Sequence, residues 1–287
     1  MRRQKSFENE MPTCYVVATP IGNLEEMTPR AIEVLRSVDV IACEDTRHTQ
    51  KLLRHFQIEN KVISHHDHNE RDSAKGILML LHQGFNVALV SDAGYPLISD
   101  PGYILVETIT QHGFNVVPIN GSSALLAALV ASGLVTQPFY FHGFLPSNLK
   151  EARGVLTRIR HYEATMIFYE APHRIEKTLK LALEVMGDRK ASLARELTKK
   201  HEEFIRGTLS ELVIEAKDLK GEMVLVIEGT KEEKEPDISM MDIRHHIDEL
   251  IQSGLSAKDA IKQIASQTGY SKNEIYQIYH QDSHTNC

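Results

Sequence analysis

Residues able to do chemistry collect directly after short apolar runs along this chain. Tyr15-Val16-Val17-Ala18 leads into Thr19-Pro20-Ile21-Gly22-Asn23, and residues 38–43 lead into Glu44-Asp45-Thr46-Arg47-His48. Val62-Ile63-Ser64 runs into His65-His66-Asp67-His68-Asn69, and residues 87–90 into SDAGYPLISDPG, residues 91–102. A fifth run, Val116-Val117-Pro118, is followed shortly by Asn120-Gly121-Ser122-Ser123, and two later runs end at Glu170 and Glu196. If each run is a strand of an open α/β sheet, these residues gather at the carboxyl ends, where such sheets bind ligands. Any one position has a plainer reading: Asp45 or Thr46 can cap a helix, and Asp92 can be a turn residue. The coincidence at so many strand ends favours a functional cleft built of carboxylates, short hydroxyls and bare backbone.

The best-known ligand signatures are absent. TPIGNL carries no G-x-G-x-x-G, and neither a phosphate-binding G-x-x-x-x-G-K-[ST] nor a G-x-S-x-G nucleophile elbow occurs in the chain. The spacing of His65, His66 and His68 does not put two imidazoles on one helix face, so no metal is expected. What remains is a ligand held by main-chain groups and small side chains in closely approaching loops.

The elements that must position these loops read as βα units, with short β-branched runs alternating with helical patterns. Helices are expected at 30–37, with Thr28 as cap before Pro29, and at 49–56, 73–83 and 104–112. Residues 137–150 are punctuated by Pro138, Gly143 and Pro146, which suggests a domain boundary. Beyond it are expected a basic helix, a strand at 165–169, a helix at 173–186, a strand at 191–195, a hairpin-like stretch, a helix near 210–217 and a strand at 223–227. Residues 231–236 look like a linker. The tail reads as three short helices, with Ser256 and Ser271 as caps at the turns. The division expected is 13–138, 139–230 and a helix-turn-helix-like module at 237–282. From Asp237 onward acidic residues outnumber Lys and Arg, the wrong balance for reading a DNA groove, so no DNA partner is expected.

At 42% hydrophobic and 25% charged residues, the chain has the balance of an ordinary globular protein. No run is long enough for a membrane span, and three cysteines without paired spacing suit a reducing, cytoplasmic location. A net charge of −7 argues against coating nucleic acid by charge alone. Local basic groups do occur, around Arg153 to His161, Arg174 to Lys180 and Arg195 to His201.

The motifs TPIGNL, ACEDTRHT, HDHNE, SDAGYPLISDPG, HGFLP, FYEAPHR, ARELTK and KGEMVLVIEG follow one another in that order. Together they resemble the tetrapyrrole methylase family, in its branch that modifies small-subunit ribosomal RNA, over roughly residues 15–229. The resemblance implies two α/β domains, the first on a parallel sheet and the second on a mixed one, with S-adenosylmethionine in the cleft between them. It implies a homodimer that 2′-O-methylates a cytidine ribose in the decoding region of 16S ribosomal RNA, within the assembled small subunit. It places the cofactor against Pro20, Ile21, Asp92, Ala93, Gly94, Tyr95, Ile98, Ser122, Ser123, Tyr169, Leu197 and Glu222. Two positions depart from the usual pattern, Tyr95 in Gly-Tyr-Pro and the Asn120-Gly121-Ser122 that follows Ile119.

A ribose hydroxyl needs a general base as it attacks, and Glu44 with Asp45 is expected to supply it, with His66 next in order. Arg47, Arg174 and Arg195 suit phosphate contacts, since a guanidinium can grip a phosphate through two hydrogen bonds. Two alternatives stand beside this reading. One keeps the fold and methylates a tetrapyrrole or a protein side chain; the other is a non-catalytic RNA-binding assembly factor.

Overall fold

A computed structural model describes residues 3–6, 8–66, 69–231, 240–268, 270 and 272–280. Asp67, His68, most of the expected linker, Gly269, Ser271 and Cys287 lie outside the described residues. The chain divides into two compact units, residues 1–230 and 231–287.

The first unit holds two sheets. Strands β1 (Thr13–Val17), β2 (Val40–Cys43), β3 (Val62–Ser64), β4 (Val87–Val90) and β5 (Asn115–Ile119) form a parallel sheet in the order β3-β2-β4-β1-β5. The sequences of β2 and β4, VIAC and VALV, are apolar throughout and buried at every position, as expected when helices cover both faces. Helices α1 (Pro29–Ser37) and α2 (Thr46–His55) pack Ala31, Leu35 and Leu53 on one face. Helices α3 (Glu70–His82) and α4 (Tyr103–His112) pack Ala74, Ile77, Leu81, Leu105 and Ile109 on the other. Neighbouring strands β1 and β4 therefore send their chains to opposite faces, which opens a crevice at their carboxyl ends.

Helix α5 (Ala124–Ala131) follows β5 but packs Ala128 and Leu129 against Ile167, Val224 and Val226 of the second sheet. That sheet comprises β6 (Phe139–Phe144), β7 (Thr165–Glu170), β8 (Lys190–Arg195), β9 (Glu203–Thr208) and β10 (Met223–Ile227), in the order β6-β7-β10-β8-β9. Only β6 and β7 run parallel; the other pairs are antiparallel. Helices α6 (Leu149–Ile159), α7 (Ile175–Met186) and α8 (Leu209–Glu215) cover its outer face. Met223 pairs with both Glu170 and Arg195, so the ends of β7 and β8 and the start of β10 share one edge of the sheet.

Strand β6 lies where the sequence suggests only a punctuated boundary. The punctuation is real but local: Gly143 has φ +80°, and the register with β7 slips between Phe141 and Gly143. A bulge of this kind lets a strand carry a glycine without ending.

The amino-terminal segment closes the outer edge of the first sheet. The Gln4 amide donates to the Val116 carbonyl (2.9 Å) and accepts from the Val116 N–H (3.1 Å), and the Asn115 amide donates to Asn9 (2.7 Å).

In the second unit, α9 (Met240–Gln252), α10 (Ala257–Thr268) and α11 (Lys272–His280) enclose Ile243, Ile247, Ala260, Ile264 and Ile275. Ser256 accepts the Asp259 N–H at 3.2 Å, the cap expected at that turn. No helix among the described residues is long and apolar enough to cross a membrane.

Candidate active site

A cavity of about 370 Å³ opens at the carboxyl end of the first sheet and reaches the shared edge of the second. Its first wall is the loop after β4. Gly94 pairs with Thr19 in an antiparallel bridge, Thr19 N–H to Gly94 carbonyl at 2.9 Å and the reverse at 3.0 Å, which clamps the loop against the end of β1. The buried Ser91 hydroxyl turns back to the Gly94 carbonyl (3.3 Å). Gly94, Leu97, Ser99 and Gly102 all have positive φ, between +67° and +131°. Two of them carry side chains, and holding these left-handed costs energy that the surroundings must offset. Glu70 helps, accepting the Gly102 and Ile104 N–H groups (2.8 and 3.2 Å) at the start of α4. That gives the glutamate of HDHNE a structural task.

The opposite wall comes from Phe144, Tyr169 to Pro172, Leu197 and Glu222 to Val224. Burial pushes the Tyr169 phenol up to about 12, so it stays protonated at any physiological pH. Glu196 and Thr198 also have positive φ, +50° and +67°. The loop they form reaches across to the end of β1: Thr198 accepts the Asn23 N–H at 3.0 Å, and the Lys199 stem lies over Gly22. The Lys199 ammonium sits between Glu196 (3.0 Å) and Glu222 (3.1 Å).

The two sequence departures turn out to be one feature. The Tyr95 hydroxyl donates to Asn120 Oδ1 and accepts the Gly121 N–H, both at 3.2 Å. A side chain at Gly121 would come within 2.9 Å of the Ala18 Cβ, so the loop after β5 lies hard against the end of β1.

Ile21, Asp92, Ala93, Gly94, Tyr95, Ile98, Ser123, Tyr169, Leu197 and Glu222 all line the cavity. Pro20 is buried behind the wall, and Ser122 donates to Glu26 (2.7 Å); neither is part of the lining. Sequence reasoning missed Ser99, Asp100, Phe144 and Pro172, which also line it.

Glu44, Asp45 and His66 lie off the wall. Asp45 caps α2, accepting the Arg47 and His48 N–H groups (2.7 and 3.3 Å), and these bonds hold its carboxyl below the usual range. Its own N–H donates to Asp92 Oδ1 at 3.4 Å, which joins the start of α2 to the cavity wall.

Arg174 is spent internally, on Glu170 (3.2 Å) and the Leu145 and Pro146 carbonyls (2.8 and 3.0 Å). Arg195 is held by Glu203 and the Lys220 carbonyl. Arg47 is exposed, and its guanidinium makes no hydrogen bond or ion pair among the described residues.

The charged residues of the lining are all acidic, although Glu170 is paired with Arg174 and Glu222 with Lys199. Asp92, Asp100, Glu170 and Glu222 contribute carboxylates, and no Lys, Arg or His among the described residues lines the cavity. With the rings of Tyr95, Phe144 and Tyr169 and the apolar Ile21, Ile98 and Leu197, such a cavity suits a mostly flat ligand carrying positive charge. No group of His, Cys, Asp and Glu able to hold a metal occurs among the described residues.

A parallel sheet and a mixed sheet flanking one cavity at the strand ends define a class. The family model for tetrapyrrole (corrin/porphyrin) methylases matches residues 13–213, and the chain belongs to that family. Solved structures of the same fold include uroporphyrin-III-C-methyltransferase from Thermus thermophilus (TM-score 0.55, 16% identity, 75% of this chain and 94% of that one). The methyltransferase CobJ is another (TM-score 0.56, 22% identity, 77% and 95%). Much nearer in sequence are proteins named ribosomal RNA small subunit methyltransferase I. That of Bacillus subtilis is 46% identical over 288 residues, covering 98% of this chain and 99% of the relative. That of Halalkalibacterium halodurans is 47% identical over 290 residues, covering 98% and 100%.

Proposed function

We propose that this protein is a cytoplasmic homodimer that transfers a methyl group from S-adenosylmethionine to the 2′-hydroxyl of a cytidine in the decoding region of 16S ribosomal RNA, within the assembled small subunit. The observation that carries the reading is the cavity: acidic and aromatic, about 370 Å³, in a chain whose relatives at 46–47% identity are named for small-subunit rRNA methylation. Bound there, S-adenosylmethionine would supply an electrophilic methyl on a sulfonium centre.

The carboxylates and rings of the lining favour the positive charge, and Ile21, Ile98 and Leu197 exclude water. The backbone of 92–95 would hold the ligand from the first sheet, with Ser123, Tyr169, Leu197 and Glu222 from the far side and Pro20 and Ser122 supporting the wall. The attacking hydroxyl needs a base within reach as its proton leaves. Asp45 is occupied as the cap of α2, accepting two N–H groups; Glu44 and His66 are the groups to which we assign the proton. Residues 13–138 and 139–230 are read as two domains sharing the cavity, and 237–282 as a separate module. The dimer reading is supported by exposed apolar residues on α5 and after it: Leu126 at 48%, Val130 at 72% and Val135 at 63%.

The test is incubation of purified protein with unmodified small subunits and methyl-labelled S-adenosylmethionine, followed by mapping of alkali-resistant ribose linkages. Label on a base, or on no RNA at all, would overturn the reading.

Two variants probe its parts. Arg47→Ala should slow methyl transfer to subunits by roughly ten- to a hundredfold, since a hydrogen bond from a charged group is worth about 1.5–3 kcal/mol. Its affinity for S-adenosylmethionine should stay within about twofold, because the guanidinium lies off the lining. A parental transfer rate would show that RNA does not meet this loop. Tyr95→Phe removes both bonds that join the loops after β4 and β5. It should weaken S-adenosylmethionine binding about tenfold in calorimetry, equivalent to about 1.4 kcal/mol. An unchanged dissociation constant would mean that the Tyr95–Asn120 link does not shape the site.

A further inference from the structure

Helix α2 is rich in basic residues and has no acidic one. From Thr46 to Ile58 the chain carries Arg47, His48, Lys51, Arg54 and His55 and no acidic residue, in a protein whose net charge is −7. Thr49 and Leu53 are buried against the sheet. Arg47, Lys51 and Arg54 are exposed on the opposite side, at i, i+4 and i+7, with His48 and His55 also exposed beside them. At 1.5 Å per residue the three cations spread over about 10 Å of the helix axis.

Several cations on other elements are neutralised locally: Lys75 by Asp72, Arg153 by Glu184, Lys180 by Glu176 and Arg195 by Glu203. On α2, Arg47 and Lys51 make no ion pair among the described residues, and Arg54 uses only its Nε, on the Gln50 carbonyl (3.2 Å). At the far end Arg36 donates to the Phe56 carbonyl (2.8 Å) and adds one more cation. At the near end the helix begins one residue from the Asp92 contact with the cavity wall.

We propose that the exposed face of α2 is a phosphate track, along which the backbone of the substrate RNA runs to the cavity. This rests on the reading of an RNA substrate and extends it from one arginine to a whole helix face. A row of unpaired cations on a rigid element binds a polyanion without base preference, and each contact adds to the salt dependence. The track positions the strand; it does not choose the nucleotide.

The test compares the parental protein with a Lys51→Gln, Arg54→Gln double variant for binding to purified, unmodified small ribosomal subunits and to protein-free 16S RNA over a range of KCl concentrations. The variant should bind about tenfold or more weakly. Its slope of log affinity against log salt should be shallower by roughly two, about one for each lost phosphate contact. S-adenosylmethionine affinity and thermal melting report whether the fold is intact; Lys51→Gln alone, with half the change in slope, is the fallback. A control that removes two charges elsewhere, Lys75→Gln with Lys180→Gln, should keep the parental slope. Parental affinity and slope in the double variant, with parental binding intact, would overturn the track. So would a loss seen on intact subunits but not on free RNA, which would assign α2 to a ribosomal protein. If the parental protein itself neither binds nor methylates subunits, it is the ribosomal reading that falls.

Discussion

Gly94→Val should lower the affinity for S-adenosylmethionine by about a hundredfold or more, ~2.7 kcal/mol, while the protein still melts cooperatively. At φ +78° a non-glycine residue costs about 1–2 kcal/mol, and a β-branched one more. A Cβ alone would meet Ile21 Cγ2 at 3.5 Å and the Ser122 carbonyl at 3.9 Å, which are ordinary contacts. Valine's two further methyls have to go past these neighbours, on a wall that the ligand must share. Relieving the strain would also pull on the Thr19–Gly94 bridge, which closes the crevice between β1 and β4. Gly94→Ala is therefore the useful companion, with a smaller loss. Calorimetry showing parental affinity for the valine variant would remove this loop from the site.

Glu170→Ala should destabilise the first unit by about 3–5 kcal/mol, as removal of one partner from a buried ion pair does. Glu170 is 2% exposed at the end of β7. One carboxylate oxygen accepts the Ala171 N–H (2.9 Å) and meets Arg174 Nε (3.2 Å); the other accepts the Thr178 hydroxyl (2.6 Å). Arg174 in turn holds the Leu145 and Pro146 carbonyls, so β7, α7 and the segment after β6 meet at one carboxylate. Alanine leaves a half-buried guanidinium and a buried hydroxyl without that partner. Denaturant titration measures the loss. A change below about 1 kcal/mol would mean that water replaces the carboxylate, against the burial described here.

How far the sequence reveals this site depends on which physical rule governs each residue. Strand ends were legible because a parallel sheet brings them together whatever the helices do, and residues 92–95 and 98–100 of the loop after β4 line the cavity. Individual side chains were less so, since a residue type does not say where its hydrogen bonds go. Asp45 is a helix cap, as its plainer reading allowed, and Arg174 faces the Glu170 carboxylate four residues back and the Leu145 and Pro146 carbonyls, which its residue type does not announce. Strand β6 was hidden by Pro138 and Gly143, because a bulge and a chain break share the same residues. The positive φ angles at Leu97, Ser99, Glu196 and Thr198 are set by tertiary contacts, and nothing in the residue types announces them.

The contact made by Gln4 bears on how the protein stays discrete. An edge strand offers unpaired N–H and C=O groups to any passing chain, including another copy of itself. At one margin of the first sheet β3 is only three residues long, which leaves little to copy. At the other, a single primary amide occupies both backbone groups of Val116, as a neighbouring peptide unit would, and then the imitation stops. One side chain thus ends the ladder without prolonging it, and self-association is left to side-chain surfaces and not to an open-ended β-stack.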